Sequence, residues 1–362
     1  MKYSLLKHLN IFILLCLVCC QNPENKNIAD TLKADSNSTS FLNEQARMLA
    51  TSNTDLARIY ALKAKKAAGT DTLNLALAYH LIGMTYYFEG NPANAILYYD
   101  SSLILNHSIH NLNQLSKTYN NLGAVYNEIG QNEKAINYFN QSLLFCRQIG
   151  DSIGVARAIG NLGNVYQNLG DFAKTLQVNE TSLALRKLLN DTLGMGSTLM
   201  NLGIVYKTLG NYEKALENYF EALVLHEKTG NLRNKAIALY NIGNVYHDWQ
   251  KSADARKYYA NSLKISEEAG FKQGMAFALN QLGTLAKTLK EFDTAMVCYK
   301  KALAIFEQIN DANGIANIYS DLAFLNRTMD KLDQAKFYAE ESRKKYIEIG
   351  DKNGEEIGRA HV

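Results

Sequence analysis

Residues 112–151 read LNQLSKTYNNLGAVYNEIGQNEKAINYFNQSLLFCRQIGD, and the pattern of this stretch returns every 40 residues along most of the chain. A glycine marks the repeat six times and an alanine replaces it at the seventh: Gly83, Gly123, Gly163, Gly203, Gly243, Gly283 and Ala323. A fixed period of this length is typical of a solenoid, in which each repeat packs only on its neighbours. The period therefore predicts a stack of small repeating units and not one globular core.

Each repeat is predicted to be a pair of helices, here called helix A and helix B. In the quoted stretch, four residues recur at helical spacing and share one face of helix A: Tyr119, Leu122, Gly123 and Tyr126. The glycine has no side chain, so another helix can approach closely there. Gly130 is placed to end helix A in the left-handed conformation. The equivalent stops of other repeats are Gly90, Gly170 and Gly210.

The repeat resembles the tetratricopeptide repeat (TPR), whose signature places Leu-Gly-x-x-Tyr on helix A and Ala-x-x-x-aromatic-x-x-Ala on helix B. The fourth repeat matches it with Leu202, Gly203, Tyr206, Ala215, Tyr219 and Ala222. The 40-residue length is similar to the arrays of kinesin light chains and Pins-like scaffolds, and to exported bacterial TPR lipoproteins and TPR sensor proteins. The resemblance implies an all-α solenoid, a right-handed superhelix of about seven helical hairpins over residues 73–355. A degenerate half-repeat is expected at 41–72, where Ala57, Ala61 and Ala64 are similar to helix B.

Two repeats depart from this signature. The third carries Thr175 and Asn179 where an alanine and an aromatic residue belong, which predicts looser packing there. The last carries Ala323, Ala339 and Arg343 at packing positions. This composition is typical of a polar terminal repeat and equally of a degenerate repeat with more protein beyond it.

The first twenty residues differ in kind from the repeats. Lys2 and Lys7 precede an apolar run from Leu9 to Cys19. This run is too short to span a bilayer comfortably, so a secretory signal is predicted. Leu17-Val18-Cys19-Cys20 resembles a bacterial lipobox, although Cys19 stands where a small residue is usual. The resemblance implies a bacterial lipoprotein that is exported and anchored through Cys20, facing the periplasm or the cell exterior. A cleaved secretory signal and an uncleaved anchor are the alternatives.

Two further segments are predicted to lie outside the repeats. Residues 21–40 are rich in Asn, Asp, Ser and Lys and are expected to form a disordered tether. Residues 356–362, Glu-Ile-Gly-Arg-Ala-His-Val, are identified as a translated sequencing adapter, and hence as an artefact. Gly350-Asp351 opens an eighth repeat as Gly150-Asp151 opens the third, so we expect the natural protein to continue past Glu355. A real helical tail is the alternative.

Charge and motifs argue against several classes of function. The chain has 38 basic and 35 acidic residues, a net charge of +3, which does not favour a nucleic-acid partner. His107 and His110 lack a third metal ligand, and Cys146 and Cys298 lie almost four periods apart, so neither a metal site nor a disulfide is predicted. No catalytic or phosphate-binding motif is present. We therefore predict a protein that is not an enzyme and has no cofactor.

The position two residues before the glycine is an amide in most repeats and is called the amide column here. Along the chain it is occupied by Leu81, Asn121, Asn161, Asn201, Asn241, Gln281 and Asp321. An amide can donate to a peptide carbonyl and accept from a peptide N–H, so it can bind the backbone of an extended segment. Similar proteins use this column to hold peptides on the concave face, and the resemblance implies that role for Asn121, Asn161, Asn201 and Asn241. The alternative is that the amides bridge neighbouring A helices or face water.

A second column, called the basic column here, lies four residues after the glycine. It reads Tyr87, Asn127, Gln167, Lys207, His247, Lys287 and Arg327. Its basic half favours an acidic peptide across repeats four to seven, and ordinary solvation of a charged face is the alternative. Trp249 is expected to pack between repeats, although an exposed tryptophan can also be an interface anchor.

These features predict a scaffold that binds a protein or peptide partner, contacts no nucleic acid and meets a membrane only through its N-terminal anchor. The alternative is the N-terminal sensory region of a truncated bacterial signalling protein with a histidine kinase, cyclase or DNA-binding output domain. An intracellular scaffold with a chance apolar start is a third possibility.

Overall fold

The computed structural model describes residues 38–51 and 53–351, and within them every regular element is an α-helix. The sixteen helices of this part of the chain are α1 Thr39–Leu49, α2 Thr54–Ala67, α3 Thr72–Phe88, α4 Pro92–Ser108, α5 Leu112–Glu128, α6 Asn132–Gln148, α7 Ser152–Asn168, α8 Phe172–Leu188, α9 Thr192–Thr208, α10 Tyr212–Lys228, α11 Leu232–Asp248, α12 Ser252–Glu268, α13 Lys272–Thr288, α14 Phe292–Gln308, α15 Ala312–Thr328 and α16 Leu332–Ile349. The all-α prediction is confirmed. The secretory signal, Cys20, most of the tether and residues 356–362 lie outside the described residues.

The helices form two compact units, one with α1–α7 and one with α8–α16, divided between Asp171 and Phe172. Within each unit, an A helix packs on the B helix that follows it, and that B helix packs on the next A helix. Neighbouring A helices also contact each other directly. Each unit thus has the predicted succession of A and B helices.

The N-terminal part of the array contains one helix more than the sequence indicated. Ala57, Ala61 and Ala64 are fully buried on α2, as expected for a B helix. The additional helix α1 precedes it, packs on it and contacts α3. It begins at Thr39, where the side chain of Ser38 accepts a hydrogen bond from the N–H of Phe41, so the last two residues of the range assigned to the tether, 39 and 40, are helical.

The glycine column permits the close approach predicted for it. A Cβ built on Gly83, Gly123, Gly203, Gly243 or Gly283 would lie 2.5–2.8 Å from a ring atom of helix B. Those rings belong to Tyr99, Phe139, Tyr219, Tyr259 and Tyr299. In the last repeat the aromatic residue is replaced by Ala339, and Ala323 occupies the glycine position with both side chains buried. The last repeat thus has alanine in place of both the glycine and the ring that faces it.

The helix ends follow the repeat as well. Gly90, Gly130, Gly170 and Gly210 have φ between +72° and +74°, which confirms the left-handed stops. Later repeats place Gln250, Lys290 and Asp330 in the same conformation, with φ of +59°, +62° and +59°. A side chain in this conformation is strained, so these three turns are less favourable than the glycine turns.

The third repeat accommodates its two polar residues by burying them. Thr175 and Asn179 are completely buried on α8, and the Asn179 amide donates to the carbonyl oxygen of Thr175 over 2.9 Å. The other amide atom, Asn179 Oδ1, has no hydrogen-bond partner among the described residues. An unsatisfied buried acceptor is destabilising, so this position is a weaker packing site than an aromatic residue would be.

Candidate functional site

The amide column forms a partly exposed row along the A helices of each unit. Asn121 and Asn161 lie on α5 and α7 in the first unit, and both are half-buried. Asn201, Asn241 and Gln281 lie on α9, α11 and α13 in the second unit and are half-buried too. The column is therefore accessible without being free of contacts.

The amides bridge neighbouring A helices through a recurring offset of 41 residues. The Asn161 amide nitrogen donates to Asn120 Oδ1 over 2.9 Å. The Asn121 amide nitrogen lies 3.4 Å from His80 Nε2, and it also donates to the Tyr99 hydroxyl over 3.3 Å. In the second unit the Gln281 amide nitrogen donates to the Tyr240 hydroxyl over 3.3 Å. Each bridge is made by the amide N–H groups of Asn121, Asn161 or Gln281, and the amide oxygens of these residues take no part in it. Contact between these oxygens and a peptide remains a prediction.

The basic column is largely compensated by its own acidic neighbours. Lys207 Nζ lies 2.8 Å from Asp248 Oδ2, and His247 Nδ1 lies 3.6 Å from Asp248 Oδ1. Lys287 Nζ lies 3.2 Å from Asp321 Oδ1, and the remaining member, Arg327, is exposed. Most of the positive charge on which the acidic-peptide prediction depends is thus balanced within the chain.

The first unit has a polar groove that the sequence analysis missed. A cavity of about 480 Å³ is bounded by α1, α3, α5 and α7, and three cationic side chains line it: Arg47, Lys117 and Arg157. Asn121 and His80 also line it, and Glu44 contributes one carboxylate, paired with Arg47 over 2.7 Å. Lys117 and Arg157 occupy one repeat position, six residues before the glycine, so a scan of that column could have found them.

His80 forms part of the wall of this groove and is 5% exposed. Its Nδ1 lies 2.9 Å from Thr118 Oγ1, whose hydroxyl donates to the Gln114 carbonyl oxygen. Thr118 therefore accepts a hydrogen from Nδ1, and His80 Nε2 accepts one from Asn121. Burial, and secondarily the charge of Lys117, lower the pKa of His80 to about 3. The imidazole is consequently neutral at physiological pH.

The same repeat position lines a second, aromatic cavity in the second unit. This cavity has a volume of about 270 Å³ and lies between α11 and α13. Ile237 and Phe277 occupy the position six before the glycine, and Tyr240, Phe271 and Arg233 complete the wall. Asn241 of the amide column borders it as well.

Trp249 lies at the end of α11 and is half-buried. Its ring centroid lies 5.8 Å from that of Tyr212, and Lys251 Nζ lies 3.4 Å from the indole centroid. The ring thus contacts a neighbouring hairpin of its own unit, as expected for a packing position.

Within residues 38–51 and 53–351, no group of three or more His, Cys, Asp and Glu side chains could hold a metal ion. No helix there is long and apolar enough to cross a membrane. Cys146 is a buried free thiol and Cys298 a half-buried one.

Family models identify the repeats. One tetratricopeptide repeat model matches residues 114–187, 194–268 and 274–348, and a second matches residues 76–105. Together these matches cover more than half of the chain, so the chain belongs to the tetratricopeptide repeat family. No curated protein sequence gives a match.

Solved structures with the same fold are distant in sequence. The apo form of the quorum sensor NprR from B. thuringiensis is 14% identical with a TM-score of 0.66, and the match covers 95% of this chain and 99% of that one. A Rap protein complexed with Competence and Sporulation Factor is 14% identical with a TM-score of 0.66, covering 97% and 99%. The Rap conjugation gene regulator of the plasmid pLS20, in complex with the Phr* peptide, is 14% identical with a TM-score of 0.59, covering 85% and 96%. At this identity the likeness concerns the fold alone.

Proposed function

We propose that this protein is a non-enzymatic interaction scaffold that holds an extended segment of a protein partner along the amide column. The observation that carries the proposal is the row of half-buried amides at one position of successive A helices. The bridges of Asn121, Asn161 and Gln281 use their amide N–H groups. Peptide complexes of proteins with the same fold, such as the pLS20 regulator with Phr*, support it.

The spacing of the amides suits a peptide backbone. Packed helices lie about 8–10 Å apart and an extended chain rises about 3.3 Å per residue, so each amide meets about every third peptide residue. Each hydrogen bond contributes about 0.5–1.5 kcal/mol net. Affinity is then the sum of several weak contacts, and a single replacement has a small effect.

We place an acidic part of such a segment in the groove of the first unit, because its charge is not balanced. Lys117 and Arg157 make no ion pair with another described residue, and Arg47 alone is paired, with Glu44. The lining therefore carries three cations and one carboxylate. In the basic column, by contrast, both lysines have carboxylate partners.

The test is a selection of 12-residue peptides from a random display library on the full chain, followed by affinity measurement with the double variant Asn201→Ala/Asn241→Ala in the second unit. Loss of two to four hydrogen bonds predicts an affinity about 30-fold lower, equivalent to about 2 kcal/mol. The matched control is Asn218→Ala/Asn261→Ala, which removes two amides from B helices of the same unit. Unchanged affinity in the folded Asn201/Asn241 variant, or failure to select any peptide, would overturn the proposal.

A second candidate is the sensory region of a longer bacterial signalling protein with a kinase, cyclase or DNA-binding output domain. The fold shared with the quorum sensor NprR favours it. Sequencing the genomic locus past codon 355 separates the two candidates. A reading frame that continues into a membrane helix of about 20 apolar residues and an output domain identifies a sensor. A stop within one more repeat identifies a freestanding scaffold, and a genome that encodes residues 356–362 rejects the adapter hypothesis.

We further propose that Cys20 anchors the protein to a membrane through a lipid. Multiple acyl chains hold a protein stably at a bilayer, whereas a single chain is marginal. In a bacterial host, the wild-type protein is expected in the membrane fraction with incorporated radiolabelled palmitate. Cys20→Ser should lose the label and move to the soluble fraction. A Cys20→Ser protein that stays in the membrane fraction would show an uncleaved anchor instead.

A further inference from the structure

We propose that the aromatic cavity between α11 and α13 is a side-chain pocket for one leucine- to phenylalanine-sized residue of the bound segment, with an acidic residue next to it. This inference rests on the proposed function and deepens it, because it names a sequence feature of the partner. Asn241 belongs to the amide column and also lines the pocket, so a peptide backbone held by the column passes the mouth of the pocket.

The pocket depends on Phe271, which replaces the capping residue that precedes helix A in neighbouring repeats. The residue before each other A helix from α3 to α15 is an aspartate or asparagine whose side chain accepts an N–H three residues later: Asp71, Asn111, Asp151, Asp191, Asn231 and Asp311. Phe271 makes no such bond. Among the A helices α3 to α15, only α13 therefore lacks a side-chain cap, and such local departures are expected where a site is needed.

Phe271 becomes a wall of the cavity. The guanidinium of Arg233 lies 4.4 Å from the centroid of its ring. A Cβ built on Gly274 would lie 2.4 Å from a ring atom of Phe271, so the absence of a side chain at Gly274 lets the ring lie against α13. Gly154, Gly194 and Gly314 occupy the equivalent position in other repeats, but none of those repeats has an aromatic residue in place of Phe271.

The other walls are held in place and are mostly apolar. The Tyr240 and Phe277 rings lie 6.2 Å apart, and Phe277 is 38% exposed. Tyr240 is positioned by the Gln281 amide that donates to its hydroxyl. At the base, Ser262 Oγ donates to the Ala236 carbonyl oxygen over 2.8 Å, so this hydroxyl is satisfied without a ligand.

Size and charge select the occupant. A volume of about 270 Å³ corresponds to about nine waters of ~30 Å³ each. Burying a leucine or phenylalanine side chain there raises affinity by about 10- to 150-fold. The positive charge of Arg233 at the rim, which makes no ion pair with another described residue, disfavours a lysine or arginine in an aromatic pocket and favours a neighbouring carboxylate.

The equivalent positions of neighbouring repeats do not form this pocket. The counterparts of Phe271, Tyr240 and Phe277 one repeat earlier are Asn231, Met200 and Ile237, and one repeat later Asp311, Asn280 and Asn317. Within α9–α15, the three aromatic residues thus coincide only between the adjacent helices α11 and α13. This coincidence gives the bound segment a fixed register, because its apolar residue fits at only this place.

The experiment is a methyl NMR titration of the full chain with labelled isoleucine, which reports on Ile237 in the pocket wall. The probes are N-acetyl-Leu-Asp and N-acetyl-Phe-Asp, and the control probes are N-acetyl-Ser-Asp and N-acetyl-Lys-Asp. We expect the Ile237 methyl to shift saturably with the two apolar probes and at least 10-fold more weakly with the control probes. An Ile237 methyl that does not shift, or that shifts equally with the serine probe, would overturn the pocket.

Two variants install residues that the chain itself uses at the equivalent position: Phe271→Asn, as at Asn231, and Phe277→Ser, as at Ser197. Each should lower probe affinity about 10-fold or more. Phe271→Asn also restores a cap for α13, so loss of the fold is not expected. The control is Phe337→Ser, which removes an exposed ring from α16 and should leave probe binding unchanged. Unaltered binding in both pocket variants would reject the proposal.

The two proposals fail separately. The dipeptide probes need only the pocket, whereas the library peptides need the amide column. Saturable Ile237 shifts with no selectable peptide would reject the extended-segment scaffold and keep the pocket. Selected peptides that depend on Asn201 and Asn241 but not on Phe271 or Phe277 would reject the pocket and keep the scaffold.

Discussion

The buried imidazole of His80 makes the first unit sensitive to acid. In the neutral form, Nδ1–H donates to Thr118 and Nε2 accepts from Asn121, so both ring nitrogens are satisfied. Protonation of Nε2 would place an N–H group against the Asn121 N–H and a positive charge near Lys117. The folded state therefore resists protonation, and the perturbation is a decrease in pH from 8 to 5.

The magnitude follows from the two pKa values. The folded-state pKa of His80 is about 3, because of burial first and of Lys117 second, while an unfolded histidine has a pKa of about 6.5. Since the folded pKa is the lower one, the stability contribution is fully present above pH 6.5 and is lost as the pH falls from 6.5 towards 3. At pH 5 the unfolded state is almost fully protonated and the folded state is not. The loss between pH 8 and pH 5 is then about 2 kcal/mol.

The assay is hydrogen exchange of peptides from α3 and α5, corrected for intrinsic rates, in the wild type and in His80→Gln. Local exchange is preferred because a repeat array need not unfold in one step. The free energy of opening of the wild type should fall by about 2 kcal/mol more than that of the variant. His226 in the second unit is also buried, and burial lowers its pKa, but it is present in both proteins and cancels. A wild-type–variant difference that stays constant within about 0.5 kcal/mol from pH 8 to pH 5 would refute the reasoning.

Two predictions concern the second unit and are measured by urea unfolding followed by circular dichroism. Asp191 caps α9 and also pairs with the buried Arg186 over 2.7 Å, so Asp191→Ala should destabilise the protein by about 2 kcal/mol more than Asp311→Ala, which removes a cap alone. Equal losses would show that the ion pair contributes nothing. Lys290→Gly should raise stability by about 0.5–1 kcal/mol, since φ at Lys290 is +62° and glycine adopts this conformation without strain. The reverse change, Gly210→Lys, should lower it, and a gain from Gly210→Lys would contradict the argument.

The repeat pattern predicted the fold because its information is local and recurs. Gly203 and Tyr219 show why. The missing side chain on helix A leaves room for the ring on helix B, and the same pair recurs at Gly83, Gly123, Gly243 and Gly283. The left-handed stop at Gly130 was predictable for the same reason. The additional helix α1 was not predicted, since it has no counterpart of the glycine column to mark it.

The candidate sites were predicted less completely. The amide column was found from the sequence, but its bridges between helices depend on partners such as Tyr99 and Tyr240 at other repeat positions. The basic column was interpreted from its own residues, and the carboxylates of Asp248 and Asp321 lie on the next repeat. A prediction made one column at a time does not include such partners.

The sequence by itself determined that this chain is an all-α tetratricopeptide repeat array, that helix A and the ring of helix B pack at the glycine column, and that four A helices end at Gly90, Gly130, Gly170 and Gly210. Those properties depend on backbone conformation and on contacts that recur at fixed spacing, so they can be read from one repeat. Only the tertiary structure decided which polar side chains neutralise one another and which residues from different columns enclose the two cavities. The reason is physical: ion pairing and cavity shape depend on distances between side chains of neighbouring repeats, and a periodic sequence specifies the neighbours without specifying those distances.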